Sequence, residues 1–382
     1  MLREILSLYK IFKTIPENER QVVFYSENRN YFVNYEGIIN ELLTNTDECM
    51  CYITSDANDP AFKIKNKRFK VFYIKDLLVL FMSFIKCRVL IMTTPDLNKY
   101  HIKRSSDPTV HYTYVFHSMV STHMMYLKEA FDYYDSIMCV GPYQKNEIRK
   151  NEELNKLNNK MLVECGYYRL ERIYRKFKEY KQDNTKDTTV LIAPSWGNKN
   201  ILESCGEELV NILLDKGCKV IIRPHPETVK RNHELINNLN EKYKNNISFT
   251  LETTVESDDS LIKADVLICD CSGVALEYAF GTERPVLFID VPYKIRNEEY
   301  NKYGIEPFEL GIRDKIGVIV KSEGLENITT VIENLKADKD KYKEKITTLR
   351  ETNIYNFNNS SKIAVKHINN LLKEKRTIER KG

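Results

Sequence analysis

The chain contains no apolar run near the roughly 18 residues that a membrane-spanning helix needs. The closest, residues 77–85, is about half that length and reads as a buried helix. None of the nine cysteines forms a CxxC pair. Cys49 and Cys51, like Cys269 and Cys271, are one residue apart, and the others are scattered in apolar surroundings. That pattern argues for buried free thiols and against a disulfide framework or a zinc site. Neither sign of charge is in excess: 58 basic against 54 acidic residues leave a net +4, and no recognition motif accompanies it. Nucleic acid is therefore excluded as a partner class. The opening MLREILSLYKIF lacks the apolar core and small-residue cleavage site of a signal peptide, so the expected location is the cytoplasm.

What remains is a soluble globular composition, 42% hydrophobic and 29% charged, over 382 residues. That length exceeds one ordinary core, so two domains are expected. Short apolar runs at 21–27, 51–55, 69–74, 88–94, 113–118, 136–141 and 161–166 read as strands. Helical patterns lie between them at 35–43, 76–85 and 142–150. Several runs are apolar on both faces, as in a parallel sheet covered on two sides. The polar stretch 176–188 breaks the alternation and reads as the interdomain connection. Beyond it the pattern restarts, with strands at 189–194, 219–224, 247–252, 266–270, 285–290 and a weaker 317–320. Helices are expected at 206–216, 234–243, 273–280 and 325–349. The expected class is α/β: two doubly wound, Rossmann-like domains facing across a cleft, at 1–180 and 188–350, followed by a helix and basic tail at 351–382.

In the first helix Leu2, Ile5, Leu6, Tyr9 and Phe12 follow helical spacing. Packing of this face on the first domain is expected. A peripheral contact with the inner face of the cell membrane is the competing reading.

Four clusters at strand ends carry the chemistry. In VIIRPHPE, two prolines stop the strand and hold Arg223 and His225 extended, with Glu227 following. Carboxyl ends of strands are where open α/β sheets bind ligands. In CDCSGVALEYAF, a strand ends at Asp270, and Ser272 and Gly273 open a helix whose free N–H groups suit a phosphate, with Glu277 one turn further in. An ordinary capped helix would look the same. In APSWG, Ser195 and Gly197 are candidates to wrap a phosphate, and Trp196, the sole tryptophan, to line a nucleotide pocket or simply to pack. In FHSMVSTH, His117 ends a strand as a candidate base, with Ser118, Ser121 and His123 as weaker acceptor-side candidates. Asp338-Lys339-Asp340 reads as a solvated helix face, so neither a metal nor a cofactor is expected.

The order HS, GPY, GYYRL, APSWG, RPHPE and CDCSGVALEYAFGTERPVLFID, over about residues 112–290, resembles the CDP-glycerol glycerophosphotransferase family, which includes teichoic acid primases and polymerases. The resemblance implies a GT-B-like fold, an acceptor-binding N-terminal domain and a donor-binding C-terminal one. It implies transfer of an alditol phosphate from a CDP-alditol, glycerol phosphate foremost, to a hydroxyl of a lipid-linked or polymeric surface glycan, with release of CMP. By the same resemblance His225 and Arg223 match the family's RxHP motif, Asp270 and Ser272 its TDYSS-like motif, and Glu277 a ribose-binding acid of related enzymes. His117 matches the catalytic histidine of its WHG motif, but Phe116 and Ser118 stand in place of tryptophan and glycine. A glycosyltransferase using a nucleotide sugar for capsule polysaccharide and a non-catalytic nucleotide- or polymer-binding protein remain open alternatives at this point.

Overall fold

The computed structural model describes residues 1–181, 187–254 and 257–379. They form two compact units: 1–117, 126–168 and 354–382 in the first, 118–125 and 169–353 in the second. No described helix is long and apolar enough to cross a membrane.

The first unit is built on β1 (Val22–Ser26), β2 (Met50–Thr54), β3 (Phe69–Tyr73), β4 (Val89–Met92), β5 (His111–Val115), β6 (Ser136–Cys139) and β7 (Met161–Glu164). They pair all parallel in the order β3-β2-β1-β4-β5-β6-β7. Every residue of β1, β2, β4 and β6 is buried, which only a sheet covered on both faces allows. On one face Val22, Phe24 and Tyr52 pack with Ile38, Ile39 and Leu42 of the helix Phe32–Asn45. Ala364, Ile368 and Leu371 of the last helix, Ser360–Glu379, complete the same core. The helix expected within 351–382 is thus part of the first unit's core rather than a segment apart from both domains. Of the expected solvated tail, residues 380–382 lie outside the described residues, as do 182–186 of the expected connection.

The second unit carries β8 (Thr189–Ile192), β9 (Lys219–Ile222), β10 (Phe249–Leu251), β11 (Val266–Cys269), β12 (Val286–Asp290) and β13 (Gly317–Lys321), again all parallel, in the order β10-β9-β8-β11-β12-β13. The order reverses between β8 and β11. The division from the first unit falls at Arg169 rather than near 180, because the helix Tyr168–Glu179 is bound by charge to this unit. Arg169 pairs with Glu277 at 3.3 Å, Arg172 and Lys176 with Asp258 at 2.7 and 3.3 Å, and Lys178 with Glu283 at 2.7 Å. Burial alone would raise the Asp258 pKa, but Arg172, then Arg169 and Lys176, hold it below the usual carboxylate value.

Two local expectations are corrected. The helix expected at 325–349 is a 3-10 turn, Leu325–Asn327, and two helices, Ile328–Ala337 and Lys339–Asn353. Asp338 separates them, leaving helical geometry at ψ 10°. The first helix, Leu2–Tyr9, is turned the other way from the expected packing. Its Glu4 is buried while Leu2, Ile5, Leu6 and Tyr9 are 50–73% exposed. The cause is polar: the Glu4 carboxylate accepts the backbone N–H groups of Lys75 and Leu77 at 2.8 and 3.0 Å. Those donors precede the helix Leu78–Phe84 and would otherwise lack a partner there. That helix also leaves Val79, Leu80 and Phe84 exposed.

Candidate active site

In the second unit β8 and β11 flank the point where strand order reverses, which is where an open α/β sheet has a crevice at its carboxyl end. The loops after β8, β9, β11 and β12 carry the site residues.

After β11, Asp270 is almost fully buried and accepts both the N–H and the hydroxyl of Ser195, at 2.8 and 2.9 Å. Burial raises its pKa, and the two Ser195 hydrogen bonds only partly offset this. Asp270 therefore holds the loop after β8, and the Ser195 hydroxyl expected to wrap a phosphate donates its proton to Asp270 instead. What Ser195 positions is Trp196. The turn depends on Gly197, whose φ of +122° is a conformation that side chains rarely adopt. Asn200 fixes the turn by donating to the Gly197 carbonyl at 2.8 Å.

Trp196 lies against His225, ring centroids 6.0 Å apart. The prolines do hold the Arg223–His225 turn, but its three polar residues separate in role. His225 is the N-cap of the helix Pro226–Arg231, its Nδ1 accepting the Glu227 N–H at 3.1 Å. An Nδ1 that accepts places the ring proton on Nε2, so Nε2–H is a donor. Glu227 spends its carboxylate on Arg231 at 2.6 Å. Arg223 is buried, donates to Ser260 Oγ at 3.2 Å and lies 4.0 Å from Glu252, with its Nη2 buried and unmatched. Burial, then Arg169, lowers its pKa.

Ser272 occupies the N-cap position of the helix Gly273–Thr282 with an extended backbone, but its side chain makes no capping bond. The capping role expected of it is thus replaced by a hydroxyl available at a ten-residue helix start, where N–H groups favour an anion. Gly273 has a second reason for lacking a side chain: a Cβ there would collide with Ser118 Oγ. Glu277 is buried in its ion pair with Arg169 and so anchors the helix Tyr168–Glu179. Ser121 gives both N–H and hydroxyl to Glu309 at 2.7 and 2.8 Å, and His123 Nε2 donates to the Ile305 carbonyl at 3.0 Å. These two weaker candidates tie the segment 118–125 to the segment around 297–309 of the same unit.

In the first unit His117 stands two residues beyond β5. Its Nδ1 lies 3.2 Å from the Thr93 carbonyl and 3.5 Å from the Tyr114 hydroxyl. A carbonyl only accepts, so Nδ1 carries the proton and the lone pair is on Nε2. The edges of Tyr31 and Tyr126 steer the ring, with centroids at 5.3 and 6.1 Å. The two histidines are thus held in opposite tautomers by backbone groups.

The sequence reading missed the loop after β12. Lys294, Arg231 and Arg296 place their charges 3.4, 5.0 and 5.9 Å from the Trp196 ring centroid. The available signal was PYKIR, two cations directly after a strand end.

Two doubly wound parallel-sheet units with the charged residues at strand ends define a protein of the two-domain, Rossmann-like GT-B class. Residues 7–369 match the family described as CDP-Glycerol:Poly(glycerophosphate) glycerophosphotransferase, and the chain belongs to that family and is an enzyme of it. Among solved structures it is similar to the wall teichoic acid polymerase TagF, at 14% identity and TM-score 0.63 over 98% of this chain and 95% of that one. It is also similar to S. aureus MnaA, at 13% identity and TM-score 0.59 over 93% and 97%. A putative UDP-N-acetylglucosamine 2-epimerase from Listeria monocytogenes gives 10% identity and TM-score 0.57 over 92% and 96%. At these identities the likeness concerns the fold. No protein of curated function matches the sequence significantly.

Proposed function

We propose that this enzyme transfers glycerol phosphate from CDP-glycerol to a hydroxyl of a lipid-linked or polymeric surface glycan and releases CMP. Each unit is assigned one half of the reaction. In the first, His117 Nε2 takes the proton of the acceptor hydroxyl, whose oxygen bonds to the glycerol-bearing phosphorus. The bond from that phosphorus to the CMP oxygen breaks, and CMP leaves with the electron pair. In the second, His225 Nε2–H, the Ser272 hydroxyl and the helix start at Gly273 hold the diphosphate and collect the developing charge.

The observation that supports this reading is the pair of contacts at the two Nδ1 atoms: the Thr93 carbonyl at His117 directs that ring's lone pair to Nε2, and the Glu227 N–H at His225 directs that ring's proton to Nε2. The test is His117→Gln. It should bind CDP-glycerol like the wild type and lose acceptor-dependent CMP release. Full release by the variant refutes the assignment of the base.

The outward apolar face of the first helix supports a membrane surface as a further partner. Leu2, Ile5, Leu6 and Tyr9, with Val79, Leu80 and Phe84, are exposed. Lys10, Lys13, Lys75 and Lys86 are exposed on the same two elements and their flanks. An apolar face with a cationic border matches an anionic lipid interface, where a lipid-linked acceptor would be presented.

A further inference from the structure

Three cations share the Trp196 ring, yet only Arg231 has a carboxylate partner, Glu227. Among the described residues no carboxylate pairs with Lys294 or Arg296. Like charges gathered on an apolar ring repel one another, and an anion that joins them relieves that repulsion. His225 packs against the same ring, so its donor and these cations border one place. We propose that Lys294 and Arg296, seated on Trp196, form an anion subsite for the diphosphate of a nucleotide donor. The proposal rests on the reading of the second unit as the donor site.

The charged and titratable groups near Lys294 are Arg296 on its own loop, Arg231 and Glu227 on the helix after His225, Asp270 after β11, and His225 against the same indole. Burial, then Arg296, lowers the Lys294 pKa to about 7, with Arg231 acting in the same direction and Glu227 and Asp270 opposing. In the empty site the amine is thus charged below about pH 7 and increasingly neutral above it. A bound diphosphate favours the ammonium and raises the pKa. Donor affinity therefore falls as pH rises past about 7, by up to about tenfold per pH unit. A diphosphate diester such as CDP-glycerol has no ionisation of its own near neutrality to confuse this.

The experiment is calorimetric titration of CDP-glycerol into the protein without acceptor, in two buffers of different ionisation heat. The wild type should take up close to one proton at about pH 8 and almost none at about pH 6. Lys294→Met should bind about tenfold or more weakly at about pH 7 and lose the uptake. Lys294→Arg, charged at every pH used, should keep the affinity while losing the uptake at about pH 8. Unchanged affinity in Lys294→Met, or undiminished uptake in Lys294→Arg, overturns the proposal while leaving the donor site standing. Failure of the wild type to bind CDP-glycerol overturns the donor reading and the proposal with it.

Discussion

In the proposed reaction His225 does two jobs with two ring nitrogens, and a pair of substitutions separates them. Its Nδ1 caps the helix Pro226–Arg231 through the Glu227 N–H, while Nε2–H is assigned to the donor phosphates. Alanine removes both. Loss of the cap costs about 1 kcal/mol. For a unit in the range of about 150–250 residues that lowers the unfolding temperature by roughly 2–4 °C. Loss of one charge-stabilising donor costs about a hundred- to a thousandfold in kcat. Asparagine is among the best capping residues but cannot reach as far as Nε2. His225→Asn should therefore melt within about 1 °C of the wild type and show the same loss of kcat as His225→Ala. Scanning calorimetry and acceptor-dependent CMP release measure the two effects on the same samples. If His225→Asn is as unstable as His225→Ala, the cap is wrongly assigned. If it retains wild-type kcat, Nε2 is not a catalytic donor.

Other expectations follow from particular contacts. Gly317 pairs with Val286 between β12 and β13, and a Cβ there would collide with the Val286 carbonyl, standing 2.8 Å from its carbon. Gly317→Ala should lower stability by about 1–3 kcal/mol or more in urea unfolding, and an unchanged midpoint refutes the close approach. Asp258 and Glu283 have folded pKa values below their ordinary ones, because Arg172 and Lys178 respectively lead the groups that outweigh burial. Their contribution is present above the ordinary carboxylate range, near about pH 4, and is lost as pH falls through it. Asp258→Asn should lose about 3–5 kcal/mol at neutral pH and show a shallower acid loss than the wild type; parallel pH curves contradict the pairing. Replacing Leu2, Ile5 and Leu6 together by serine should abolish co-sedimentation with anionic vesicles and leave stability unchanged, since these side chains are exposed. Vesicle binding that survives refutes that surface.

Much of the framework was legible because it rests on strand periodicity and prolines. The thirteen strands of the described residues lie within or overlap the apolar runs, most plainly β1, β2, β4 and β6, where a strand buried on both faces has little choice of residue. The RPHPE turn was legible because proline restricts its neighbour as well as itself. Side-chain partners were not. Nothing in local pattern says that Ser195 and Asp270 spend their polar groups on each other, or that Glu277 pairs with Arg169 more than a hundred positions earlier. The first helix shows the same limit. Its apolar spacing was correct, but two backbone N–H groups at Lys75 and Leu77 turned Glu4 inward and the apolar face out. The expected end of the first domain erred for a related reason, because ion pairs that bind the helix Tyr168–Glu179 to the second unit come from residues far along the chain.

The most direct test of the central claim is the purified enzyme incubated with a membrane glycan acceptor and, in turn, CDP-glycerol, CDP-ribitol and UDP-sugars. Nucleotide release and phosphorus in the acceptor are both measured. The account predicts CMP from CDP-glycerol, one phosphate gained by the acceptor per CMP released, and neither in His117→Gln. UDP release from a sugar donor, with no CMP from either CDP-alditol, would contradict it.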